Sequence, residues 1–156
     1  MATSISELEV RGEVIDGTRV SDRAGWRRLL VVGASLVLAA TAANVVLAIA
    51  LRNWLQVPAA FQPLATPGVA SFTIIGMIAA TVVFGAVARV RPDPRRSFLR
   101  IATAALIFSW LPEIIIGVTA VFPGTTAAGI MSLMGLHLVA AGCAVGILLG
   151  FGLKSE

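Results

Sequence analysis

Apolar positions in this chain do not alternate with polar ones; they run on. Four stretches are almost uninterrupted: Leu29 to Leu51, Val69 to Ala88, Ile101 to Val121 and Ala127 to Phe151. A helix needs roughly 20 such residues to cross a hydrocarbon core of about 30 Å, and each stretch is long enough. Lipid offers no partner to a free backbone N–H or C=O, so a spanning segment is a helix or part of a closed barrel. Unbroken apolar runs favour the helix. The predicted fold is an all-α membrane protein, a bundle of four transmembrane helices.

Composition agrees. Hydrophobic residues make up 58% of the chain and charged ones 13%, with a mean hydropathy of +0.94, which excludes an ordinary water-soluble domain. The net charge of +4 suggests nucleic acid until its distribution is read. Arg11, Arg19, Arg23, Arg27 and Arg28 precede the first run, Arg89, Arg91, Arg95, Arg96 and Arg100 lie between the second and third, and Lys154 follows the fourth. Only Arg52 falls on the other side. Such a bias predicts that both termini and the second connection face the cytoplasm of a plasma-membrane protein, and it leaves nothing for nucleic acid to explain.

The basic start, apolar centre and small residues of Ala40-Thr41-Ala42 raise the option of a cleaved signal peptide. The apolar run continues past that site to Leu51, which favours an uncleaved first helix. Trp26 and Trp54 bracket it, and 28 residues rising about 1.5 Å each match a bilayer with its headgroups. Residues 1–25 read as a polar, mostly disordered cytoplasmic tail, with a hairpin around Asp16-Gly17 as a transient option. The first connection carries Pro58, Pro63 and Pro67 among apolar residues. It reads as a re-entry turn set by prolines, or as a cap on the bundle mouth. Gly142, Gly146 and Gly150, at spacing four, read as a packing ridge within the bundle, so that a homo-oligomer is not implied. Cys143, the one cysteine, reads as a packing residue.

The candidate chemistry lies in the few polar residues inside the runs. Glu113 follows Pro112 in the third and His137 lies in the fourth, at similar expected depth in the outer half. Asn44 and Thr73 bring hydrogen-bonding groups from the first two helices to the same half, and Ser109 lies one turn before Glu113. Pro112 has no N–H to give to the Phe108 carbonyl and predicts a kink beside the acid. A membrane carboxylate must face the bundle interior, because the ionised form costs at least about 3 kcal/mol in hydrocarbon. Two readings follow: a titratable site for a proton or a small solute, or a hydrogen-bond network that fixes helix register. One histidine and one acid are too few for zinc, one histidine cannot make a bis-histidine haem, and no nucleophile constellation is present. No cofactor, metal or enzymatic activity is expected.

Phe61-Gln62-Pro63-Leu64, Ala88-Arg89 with Pro94-Arg95, Ser109-Trp110-Leu111-Pro112-Glu113, and Met134 with His137 together carry a resemblance. Over roughly residues 26–152 the chain resembles a family of small four-helix integral membrane proteins from actinobacteria, a domain of unknown function. The resemblance implies topology and membrane residence, with Ser109, Pro112, Glu113 and His137 as the distinctive polar features, and no activity. Small multidrug transporters also have four helices and a membrane glutamate, but on the first helix of a shorter chain; here that helix has Asn44 at depth.

Overall fold

The computed structural model describes the backbone of residues 5–152 and the side chains of residues 25–152. Four helices follow in order: α1 (Ile5–Trp54), α2 (Thr66–Val90), α3 (Pro94–Thr119) and α4 (Ala127–Phe151), with a short 3₁₀ turn at Gln62–Leu64 before α2. Gly25–Trp54 of α1 and the whole of the other three are long and apolar enough to cross a membrane, the architecture of a multi-pass membrane protein. Among the described residues there is no strand. The backbone of α1 is helical through Asp16-Gly17, so the hairpin turn considered there is not adopted. What was expected of the tail over 1–25 otherwise falls on residues outside the described side chains.

The fourth start falls where predicted, at Ala127, whereas the second and third lie inside the observed ones because the helices extend beyond the apolar runs to Thr66 and Pro94. α3 begins at Pro94, where the missing N–H costs nothing, and the Asp93 carboxylate accepts from the Arg96 N–H at 3.1 Å. The Thr126 hydroxyl does the same for the Gly129 N–H at the start of α4. α3 ends two residues early because Ala120 turns left-handed, its N–H closing the last turn on the Ile116 carbonyl.

Packing follows rows at spacing four. On α1, Leu36, Ala40, Asn44 and Ala48 are buried; on α2, Val69, Thr73 and Met77; on α4, Leu136, Ala144 and Leu148. α1 lies against α2 and α4, whereas α3 rests mainly on α4 and stands diagonally opposite α1. Two apolar clusters result. The one at the arginine-rich end holds Leu36, Ala40, Met77, Phe84, Phe98 and Leu148, with the Phe84 and Phe98 rings edge to face at 5.1 Å between centroids. The one at the other end holds Ala48, Phe61, Leu64, Val69, Leu133 and Leu136.

Phe61 and Leu64 are fully buried although they belong to the first connection. That connection is a plug in the mouth of the bundle rather than a bare turn. Gly129 makes room for it, since a Cβ there would lie 3.0 Å from the Phe61 ring. Gly124, at φ +76, lets the α3–α4 turn pass within contact of Pro58 and the Phe61 backbone. Arg52 holds the start of the same segment, donating to the Ala59 carbonyl at 2.7 Å.

The α4 glycines do not do what the spacing suggested. A Cβ at Gly142, Gly146 or Gly150 would meet no atom within 4 Å, and all three are exposed. The ridge faces out of the bundle because the row two residues away, Leu136, Ala144 and Leu148, lies on the opposite side of the helix and faces in. Close approach occurs instead between α1 and α2, where a Cβ at Gly33 would stand 2.6 Å from Thr81 Cγ2 and one at Gly85 would stand 2.6 Å from Leu29 Cδ2.

Candidate functional site

Between the two apolar clusters lies a polar layer. Asn44 sits between Ala40 and Ala48 on α1, Thr73 between Val69 and Met77 on α2, and His137 between Leu136 and Ala144 on α4. α3 supplies Glu113, only 6% exposed. Phe98 and Glu113 are the two buried residues of that helix. α3 is thus pinned near one end by an aromatic contact and near the other by a carboxylate.

His137 Nδ1 stands 3.5 Å from Glu113 Oε1 and 3.0 Å from the Leu133 carbonyl. A carbonyl only accepts, so this contact calls for the hydrogen on Nδ1. The His137 side chain is 38% exposed against 8% for that of Glu113. The imidazole therefore joins a buried carboxylate to a more accessible surface. Glu113 Oε2 has no hydrogen-bond partner among the described residues.

The layer is two pairs rather than one network. Asn44 Nδ2 donates to Thr73 Oγ1 at 3.1 Å, tying α1 to α2, while Glu113 and His137 tie α3 to α4. Ser109 joins neither: its hydroxyl donates to the Leu106 carbonyl of its own helix at 2.7 Å, as serines within helices commonly do. α3 runs as one helix through Pro112, leaving the Phe108 carbonyl without its usual donor. Two further residues belong to the layer and were not anticipated. Thr41 Oγ1 and Trp110 Nε1 are buried with no partner among the described residues, as is Asn44 Oδ1. Each lies three residues before a polar residue already singled out, Asn44 and Glu113, and so on the same helix face. That spacing was a signal available in the sequence.

No group of three or more His, Cys, Asp or Glu among the described residues is placed to hold a metal. What the arrangement offers chemically is a buried carboxylate with one open acceptor oxygen beside a partly exposed imidazole.

Residues 22–150 match the family described as Family of unknown function (DUF6069). The chain belongs to this family. No curated protein and no solved structure matches it. The match spans the polar layer and the plug and reaches into all four helices of this DUF6069 chain, so its extent agrees with the resemblance read from the short motifs. Of those motifs, Phe61-Gln62-Pro63-Leu64 is the plug itself, while Glu113 and His137 are the α3–α4 pair.

Proposed function

We propose that this protein is a proton-linked carrier of a small solute in the plasma membrane, working through Glu113 and His137. The observation that carries this reading is the unequal state of the Glu113 carboxylate: Oε1 faces His137, whereas Oε2 is buried without a partner. A network kept only for stability gains nothing from a half-satisfied acid, because an unpaired buried polar atom costs about 1–3 kcal/mol. A proton gained by His137 neutralises Glu113 from one side, and a cationic or hydrogen-bonding solute at Oε2 satisfies it from the other. Each weakens the need for the other, which couples the two. α3 supports the reading as well, since the acid rides on the helix that buries the smallest share of its surface.

Both termini face the cytoplasm in this reading, as the arginine distribution requires, and the plug closes the outer mouth. In intact cells a membrane-impermeant thiol reagent should label Ala59→Cys and leave Arg95→Cys unlabelled until the membrane is permeabilised; the reverse pattern overturns the orientation.

The rival reading is a structural or accessory membrane protein in which the polar layer locks the helices. The Asn44 Nδ2 to Thr73 Oγ1 hydrogen bond, which ties α1 to α2, favours it. Flux separates the two. In proteoliposomes holding a pH-sensitive dye, a panel of small quaternary ammonium ions and neutral polyols should include solutes that evoke proton movement. Glu113→Gln should abolish that movement while leaving elution in detergent unchanged. Proton movement equal in wild-type, Glu113→Gln and protein-free vesicles across the panel would remove the carrier reading and leave the lock.

A further inference from the structure

At the arginine-rich end, away from the polar layer, the small residues at which α1 and α2 approach each other leave a groove of about 440 Å³ along the exposed seam of the two helices. That is within the range of about 300–1,000 Å³ usual for small-molecule sites. Its floor is small, with Gly33 and Ala34 on α1 and Gly85 and Ala86 on α2, and Leu30 and Val82 among its walls. Thr81 also lines it, but its hydroxyl is spent on the Met77 carbonyl of its own helix, so the groove offers apolar surface along its length.

Its shape is directional. Trp26 of α1 and Arg89 of α2 lie at one end, Val37 and Ile78 at the other, and on either helix the ends are 11 residues apart. At 1.5 Å per residue that is about 16 Å, close to half of a hydrocarbon core of about 30 Å, the depth of one leaflet. Leu30, Ile78 and Val82 are more than half exposed, so the groove opens toward the lipid rather than into the bundle.

Arg89 is the one charged residue lining it among the described residues. Its guanidinium lies over the Trp26 ring, 5.3 Å from the centroid. Stacking occupies the face of the guanidinium, and its N–H edge, the edge that binds a phosphate in bidentate fashion, has no partner among the described residues. An apolar slot one leaflet deep, ending in a fixed cation at headgroup level, has the chemistry of one molecule. We propose that this groove binds an anionic phospholipid, one acyl chain lying between α1 and α2 and the phosphodiester on Arg89.

The test is retention of added lipid by the purified full chain in detergent, read by native mass spectrometry. Phosphatidylglycerol should be retained at least fivefold over phosphatidylcholine. Arg89→Gln should bring that ratio close to one, while Arg91→Gln, outside the groove, should leave it unchanged. Ala86→Leu, which fills the floor, should reduce retention of both lipids, and Ala79→Leu, which does not line the groove, should not. Inorganic phosphate at equal concentration should fail to displace the lipid. The site is overturned if wild type does not distinguish the two lipids, if Arg91→Gln lowers the ratio as far as Arg89→Gln, or if inorganic phosphate competes fully. Far-ultraviolet circular dichroism of each variant confirms that the helices are intact.

Discussion

The two oxygens of Glu113 live in different circumstances, and the difference sets what substitutions do. His137→Leu removes the group facing Oε1 and leaves a buried carboxylate with no partner at either oxygen. It should lower unfolding stability in detergent by about 1–3 kcal/mol, read as an earlier thermal transition. Glu113→Gln keeps the volume and removes the charge, so its effect on the same transition should be smaller than that of His137→Leu. The double variant Glu113→Leu with His137→Leu should recover part of the loss, because an apolar pair leaves nothing unsatisfied. Equal transitions in wild type and His137→Leu would show that the 3.5 Å contact contributes nothing to the fold.

Among the elements, glycines sort by what faces them. At Gly33 an added methyl meets Thr81, a β-branched side chain stiff at χ1 whose hydroxyl is committed to Met77. Gly33→Ala must push α1 and α2 apart and should cost about 1–3 kcal/mol, the usual range for overpacking. At Gly85 the obstacle is the far end of Leu29, which can swing aside, so Gly85→Ala should cost less. Gly146→Ala meets nothing and gains helix propensity, and it should be neutral or stabilising. Thermal unfolding of the three variants side by side checks the order. A loss at Gly146 as large as at Gly33 would mean that the α4 ridge is covered after all. α3 obeys a related logic: with Phe98 and Glu113 as its buried residues, it is the helix whose position depends most on a single polar contact.

For the whole molecule, the plug fills the end of the bundle opposite the arginines, beside the polar layer. Phe61 is fully buried against Gly129 and the outer cluster. Phe61→Ala should cost about 3–5 kcal/mol if the mouth does not collapse, as for other buried aromatic truncations. It should also open the bundle: in a Cys143→Ser background, a cysteine at Leu136 should react slowly with an impermeant thiol reagent in the plugged protein and several-fold faster once Phe61 is truncated. Unchanged reactivity would mean that the polar layer is sealed by something other than the plug.

How much of this was legible beforehand differs by level. The four helices and their membrane character were determined by the sequence itself, because hydrocarbon thickness and the cost of unpaired backbone act on each run separately. The depth match of Glu113 and His137 was legible for the same reason, depth along a helix being a residue count. Which face of each helix points inward was not, since in lipid both faces are apolar and hydrophobic periodicity carries little signal. Hence the glycine row on α4 was read as inward when the row on the opposite face is, Ser109 was placed in a network it does not join, and Thr41 and Trp110 were passed over. Tertiary structure alone decided the helix faces, the division of the polar layer into two pairs, and the burial of Phe61 and Leu64. Each depends on which helices are neighbours, and neighbours are chosen by packing across the whole bundle.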